Sequence, residues 1–222
     1  MVKNGNSGTV ARSPGLTDDF ITEKLLPLCF YHPSKKRQAL RIPVEEFPRA
    51  LNFIRFTDGS AVISQTVYIE DGYFTHQYIF DEPIPTSIVP TLYDAFFLTS
   101  SDWEQLEELD SLPLLNELIT DTAVASLPFD EMRLMQLVDL LKFNEKAYVI
   151  LPDLHWVQPM LTWLFEMTEG ASFGFTTYSR EAIENKFINL VFLEKGSLDV
   201  CDLPNDFVFD FDSSKFSENL PS

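Results

Sequence analysis

His76 is the residue best placed to do chemistry, because aromatic side chains crowd around it in the run Tyr73-Phe74-Thr75-His76-Gln77-Tyr78. Alternate residues of a strand share a face, so Phe74, His76 and Tyr78 would lie together. An imidazole in such surroundings can act as a general base or contact a ligand. It can also be a structural residue, packed between rings with its nitrogens hydrogen-bonded. We therefore name Tyr73, Phe74, His76 and Tyr78 as candidate ligand-binding residues, with the structural interpretation as the alternative.

A basic run, Lys35-Lys36-Arg37, is the second place where chemistry could occur. Three adjacent cations can bind a phosphate or another anion. A phosphate-binding loop, however, uses glycines for close backbone approach, and there is no glycine between Gly15 and Gly59. Lys35, Lys36 and Arg37 are therefore candidate anion-binding residues, and the alternative is a solvated loop.

The sequence contains no complete catalytic or metal-binding signature. The three histidines, His32, His76 and His155, are far apart, and no His/Cys or His/Glu pair has the spacing of metal ligands. Nucleophile-elbow, phosphate-loop and dinucleotide-binding motifs are also missing. We predict no catalytic residue, no metal and no cofactor, and we keep open a hydrolase or nucleotide-binding enzyme that uses His76.

Consecutive short strands must position His76. The strand-like segments 53–56, 61–69 and 73–80 are separated by Asp58-Gly59 and Asp71-Gly72. An Asp-Gly pair is a strong hairpin signal, because glycine accepts the positive φ that a tight turn requires. Connections this short exclude parallel crossovers. The pattern predicts an antiparallel meander.

A short helix is predicted ahead of the meander. Thr17, Asp18 and Asp19 can cap a helix that runs to Leu26, and Pro27 would end it. The apolar residues 28–31 that follow are typical of a strand.

The second half of the chain alternates helical and strand-like segments. The predicted helices cover 130–144 and 159–167, and the predicted strands cover 147–151, 171–178, 186–194 and 208–211. This order is typical of an α/β unit with a mixed sheet. Helix 130–144 has a broad apolar face, which we expect in the core, although its methionines also suit an adaptable binding groove. That face consists of Met132, Met135, Leu137, Val138, Leu140 and Leu141.

These elements predict an α+β protein, with an antiparallel β-meander subdomain followed by an α/β unit with a mixed sheet. We expect a flexible tail at residues 1–15, a β-rich subdomain at 16–112 and an α/β subdomain with an acidic tail at 113–222.

The charge is uneven along the chain. Residues 1–60 carry nine Lys and Arg against six Asp and Glu, whereas the other residues hold 28 of the 34 acidic side chains. A net charge of −18 repels nucleic-acid phosphates and attracts a basic protein surface. We expect a protein partner with a basic surface and no direct nucleic-acid or membrane binding. An acidic inhibitor that imitates DNA is a further alternative.

The compartment is predicted from what the sequence lacks. It has no apolar run long enough for a membrane helix and no apolar signal core. Cys29 and Cys201 belong to no C-x-x-C pattern, so we expect two reduced thiols and a cytoplasmic protein.

Two groups of motifs, taken in order, resemble the bacterial GTPase-associated proteins. Asn52-Phe53, then 71–80 and Leu112-Pro113, are similar to the N-terminal module of that family. The segments 147–152 and 173–178, with a helix through Trp163 between them, are similar to its middle module.

The resemblance implies a non-enzymatic adaptor or regulator, encoded beside a GTPase in a bacterial conflict or defence system. The resemblance implies no catalytic residues for this chain. The chain differs from the family at the turn before the aromatic pair. Family members usually have Arg-x-Gly-Asn there, whereas this chain has only Asp71-Gly72. Members of the family are usually longer, so we expect a fragment or a reduced relative.

Overall fold

A mixed sheet of seven strands runs through the part of the chain that the computed structural model describes. That part comprises residues 2–3, 6–7, 15–29, 39–43, 46–47, 49–69, 72–81, 89, 127–168, 173–177, 186–195 and 207–211. Helical elements pack on both faces of the sheet. The predicted α+β class is confirmed.

Three short helical turns follow one another before the meander. They are α1 (Asp18–Phe20), a π-helical turn (Ile21–Leu25) and a 3₁₀ turn (Leu26–Leu28). Thr17 caps them as predicted, because its hydroxyl accepts a hydrogen bond from the N–H of Phe20 at 3.2 Å. We call residues Asp18–Leu28 the N-terminal helical segment. The strand predicted for 28–31 is wrong at its start, since Leu28 belongs to the 3₁₀ turn and Cys29 follows it.

Two very short strands, β1 (Val2–Lys3) and β2 (Asn6–Ser7), pair antiparallel with each other near the N-terminus. They form a sheet of their own and do not pair with the large sheet.

The predicted meander is confirmed. Its strands are β3 (Ala50–Arg55), β4 (Ala61–Ile69) and β5 (Gly72–Phe80), and each pairs antiparallel with the next. Gly59 has a φ of 89° in the first turn, a conformation that side chains disfavour. Asp58 stabilises this turn by accepting a hydrogen bond from the N–H of Ser60 at 3.0 Å.

The second half contains the predicted alternation of helices and strands. Its elements are α2 (Glu131–Lys142), β6 (Ala147–Leu151), a 3₁₀ turn (Leu154–Trp156), α3 (Val157–Met167), β7 (Phe175–Thr177), β8 (Leu190–Glu194) and β9 (Val208–Asp210). Asp130 caps α2 by accepting from the N–H of Arg133 at 2.9 Å.

One sheet joins the two halves of the chain. Its strand order is β5-β4-β3-β7-β8-β6-β9, with β3 antiparallel to β7 and the last four strands parallel to one another. The predicted boundary between residues 112 and 113 lies outside the described residues, as does the acidic tail after residue 211.

Gly174, just before β7, lets the strands approach closely where the halves meet. A Cβ at this position would lie 2.0 Å from the carbonyl oxygen of Phe187 and 3.0 Å from that of Phe53. Only glycine fits such a contact between backbones.

The sheet has an apolar core on each face. On one face α2 and α3 pack against the strands through residues such as Leu137, Leu161 and Phe175. On the other face Leu25 and Leu28 of the N-terminal helical segment pack with further strand residues.

The predicted core face of α2 is partly wrong. Met132 is 72% exposed and Met135 is 38% exposed, whereas Leu134, Leu137 and Leu141 are buried. The apolar residues cover more than one side of this helix, and only the side that carries the buried leucines packs against the sheet. None of the helices in the described residues is long and apolar enough to cross a membrane.

Candidate functional site

Four polar side chains form a row across four neighbouring strands, from β7 to the edge strand β5. Thr176 of β7 is opposite Asn52 of β3, Asn52 is opposite Ser64 of β4, and Ser64 is opposite Gln77 of β5. Residues directly opposite each other on neighbouring strands share a face. We call these four residues the polar row. Asn52, Ser64 and Thr176 are fully buried.

The polar row is hydrogen-bonded to the N-terminal helical segment. Nδ2 of Asn52 donates to the carbonyl oxygen of Leu28 at 3.1 Å and to the hydroxyl of Ser64 at 3.0 Å. Nε2 of Gln77 donates to the carbonyl oxygen of Leu25 at 3.0 Å. The last carbonyls of a helix lack intrahelical partners, so the sheet supplies the cap that this segment needs.

Within the row, Asn52 also links the two halves of the chain. The hydroxyl of Thr176 donates to Oδ1 of Asn52, and the hydroxyl of Thr177 accepts from the N–H of Leu51 at 2.7 Å. These side-chain hydrogen bonds join β7 to β3 in addition to the backbone pairing of the two strands.

A pair of threonines next to the polar row also contacts the end of the N-terminal helical segment. Thr66 and Thr75 share a hydrogen bond of 2.9 Å, and the hydroxyl of Thr75 donates to the carbonyl oxygen of Cys29 at 3.2 Å. Cys29 is a free thiol, and it donates to the carbonyl oxygen of Leu25 at 3.3 Å. Three successive strands therefore present polar side chains to the end of the N-terminal helical segment.

Three of the candidate residues, Phe74, His76 and Tyr78, lie on the face of β5 opposite the polar row. Phe74 is buried there, and the rings of His76 and Tyr78 are in contact, with centroids 4.5 Å apart. Tyr78 packs against the larger apolar core. Tyr73 is half-buried and lies opposite Tyr68 of β4. The structure thus brings His76 and Tyr78 together as the alternation predicted, and their role in ligand binding stays a prediction.

Burial keeps both polar rings of this pair neutral. It lowers the pKa of the His76 imidazole to about 4 and raises the pKa of the Tyr78 hydroxyl to about 12. A base with a pKa near 4 accepts a proton weakly at neutral pH, whereas effective general bases have pKa values near the working pH.

Gln65 is a residue of this face that sequence reasoning missed. It lies directly opposite His76 and is 2% exposed, and its Nε2 atom has no hydrogen-bond partner within the described part of the chain. Its neighbours on the same face of β4, Ile63 and Val67, are apolar, and a polar side chain between them is the sequence signal that could have identified it.

The remaining candidates are not brought into this site. Lys35, Lys36 and Arg37 lie outside the described residues. His155 is exposed in the 3₁₀ turn that precedes α3, where its Nδ1 is 3.0 Å from Oδ1 of Asp153. Among the described residues, no group of three or more His, Cys, Asp or Glu side chains could hold a metal ion.

The polar row was also missed from the sequence. Asn52 interrupts an apolar strand, and Ser64, Gln77 and Thr176 each stand in a strand too. Only the register shows that the four are neighbours.

Comparison with protein families gives a match over the N-terminal half of the chain. The model of the GTPase-associated protein 1, N-terminal domain type 2, family matches residues 2–116, which are 115 of the 222 residues. The chain belongs to this family. The match confirms the resemblance found in the N-terminal motifs, and the family's description links this GTPase-associated protein to a GTPase.

The matched span of the GTPase-associated protein contains the N-terminal helical segment, the meander and His76, and it ends before α2. No curated protein and no solved structure gives a significant match.

Proposed function

We propose that this GTPase-associated protein is a non-enzymatic adaptor or regulatory subunit, which binds a protein partner in a GTPase-linked assembly of a bacterial conflict or defence system. The observation that carries the proposal is the membership of the family, which links the chain to a GTPase. The arrangement of the polar side chains and the charge of the chain support it.

The polar row serves the sheet's own structure. Asn52, Ser64 and Gln77 hold the N-terminal helical segment, and Thr176 holds Asn52. Burial lowers the pKa of His76 and keeps its imidazole neutral, and the ring is in contact with that of Tyr78. Because these polar side chains are engaged in contacts within the fold, they favour a scaffold whose outer surface carries the function.

The net charge of −18 favours a basic partner. A negative field raises the rate at which a positively charged protein approaches, and this effect weakens as salt screens the charges. Binding should therefore weaken when salt rises.

A pull-down of the tagged 222-residue chain from its native host tests the proposal. At moderate salt we expect a stoichiometric partner that contains a GTPase domain or assembles with one. Higher salt should reduce recovery of this partner. If no stoichiometric partner is recovered at moderate salt, the adaptor function is wrong.

A small-ligand site around His76 is the second candidate function. One observation favours it: Nε2 of Gln65 is buried opposite His76 without a partner in the described residues. Such a donor costs about 1–3 kcal/mol, and an acceptor on a bound nucleotide would remove this cost.

Calorimetric titration with GTP and GDP tests this second candidate. Saturable heat in the wild type that is lost on Gln65→Ala substitution would support a nucleotide site and would argue against a purely structural role for this face. An absence of heat with both nucleotides would eliminate it.

A further inference from the structure

Helix α2 carries a stripe of exposed apolar side chains on the side that faces away from the sheet. Met132 is 72% exposed, Met135 is 38% exposed, and Phe143, at the C-terminal cap, is 79% exposed. Met132 and Phe143 are eleven residues apart, which is about three helical turns, so both point the same way. We call Met132, Met135 and Phe143 the methionine stripe.

The opposite side of α2 already fills the core. Leu134, Leu137, Val138 and Leu141 are buried there. Within the described part of the chain, the methionine stripe therefore lies outside the core, and it exposes three large apolar side chains over about 16 Å of helix. Exposed apolar clusters of this kind mark interaction sites, and methionine adapts its shape to different partners.

The charges around the stripe indicate the chemistry of what covers it. Glu131, Asp139 and Glu145 are exposed at its start, middle and end, while Lys142 is the exposed cation among residues 130–145. The other cation of this stretch, Arg133, donates to the carbonyl oxygen of Asp210 at 2.8 Å and so leans toward β9. Asp139 is seven residues, about two helical turns, from Met132, so it lies on the same side of the helix as the stripe, whereas Glu131 and Glu145 lie at its two ends. The stripe is thus an apolar surface with acidic side chains at its ends and in its middle.

We infer that the methionine stripe is the docking surface for a basic amphipathic helix of the protein partner, an inference that rests on the proposed adaptor function. The apolar side of that helix would cover Met132, Met135 and Phe143. Its lysines or arginines would lie against Glu131, Asp139 and Glu145. A second copy of this chain is a poorer occupant, because two chains of net charge −18 repel each other.

A designed peptide tests the surface without knowledge of the natural partner. The probe is a fluorescein-labelled peptide of about 18 residues, made of leucine and lysine with leucines at helical spacing. Its control is a scrambled peptide of the same composition, which keeps the charge but has no apolar face. Binding to the full chain is measured by fluorescence anisotropy at about 0.15 M salt, where long-range attraction is screened.

The double substitution Met132→Gln with Phe143→Gln removes two anchors from the exposed side, so folding should be preserved and is checked by circular dichroism. We expect the dissociation constant of the amphipathic peptide to rise about tenfold or more. Leu40→Gln is the matched control, because Leu40 is 65% exposed elsewhere on the chain. It should leave the affinity unchanged.

Several results would overturn the inference. They are equal affinity of the double variant and the wild type, equal affinity of the scrambled and amphipathic peptides, or a dimer of the wild type in sedimentation velocity that the double variant loses. The pull-down separates the two proposals. If the double variant still recovers the partner, the docking surface is wrong and the adaptor function stands.

Discussion

Replacing Asn52 by alanine removes the side chain that connects three parts of this fold. Its amide donates to Leu28 of the N-terminal helical segment and to Ser64 of β4, and its Oδ1 accepts from Thr176 of β7. Asn52 is fully buried, so water cannot replace these bonds without entering the core. We expect Asn52→Ala to be among the most destabilising polar substitutions in the chain.

The magnitude follows from the three hydrogen bonds. Each contributes about 1 kcal/mol net, and a buried group left without a partner costs about 1–3 kcal/mol. The carbonyl oxygen of Leu28 keeps a long contact with the hydroxyl of Ser64, at 3.5 Å, which limits the penalty. The free energy of unfolding should fall by about 3 kcal/mol. In a chain of this size that lowers Tm by about 6–12 °C.

Urea unfolding measures the loss, and hydrogen exchange locates it. Amides of the N-terminal helical segment should lose protection before those of β4 and β5. Ser64→Ala is the matched control, since it removes one hydroxyl of the polar row and should cost about 1 kcal/mol. Stability of Asn52→Ala within about 0.5 kcal/mol of the wild type, the usual range for surface substitutions, would refute the structural role of the row.

Three further predictions concern single residues elsewhere. Burial lowers the pKa of His76 to about 4, below its unfolded value of about 6.5. The wild type should therefore lose stability as pH falls through this interval. Between pH 8 and pH 5 its free energy of unfolding, measured in urea, should fall by about 2 kcal/mol more than that of His76→Gln. An equal fall in the two proteins would contradict this. Gly174→Ala drives a Cβ into the carbonyl oxygen of Phe187 and should cost about 3 kcal/mol by thermal unfolding; a Tm equal to that of the wild type would show that the strands do not approach so closely. Asp130→Ala removes the cap on the N–H of Arg133 and should cost about 1 kcal/mol by urea unfolding, and no change would mean that α2 does not need its cap.

Local signals predicted the elements of this fold. The Asp58-Gly59 turn fixes the first hairpin within a few residues, and Asp130 starts α2 at the predicted position. Such features depend on neighbours in the sequence, so a single chain reveals them.

Contacts between distant residues escaped prediction. Asn52 and Thr176 are 124 positions apart, and their pairing joins the meander to the α/β unit. Polar residues were visible in each strand, but their register was not, so the polar row could not be read as one group. The helical period of α2 likewise showed apolar residues without showing which side meets the sheet, and Met132 was placed in the core although it is exposed.

The central claim is that this chain acts through contact at its outer surface. Hydroxyl-radical footprinting of the complex recovered by pull-down tests it most directly, because methionine and aromatic side chains report their exposure through oxidation. We predict that the partner shields Met132 and Phe143 and leaves the labelling of His76 unchanged. Shielding of His76 and Tyr78, with Met132 still reactive, would contradict the account.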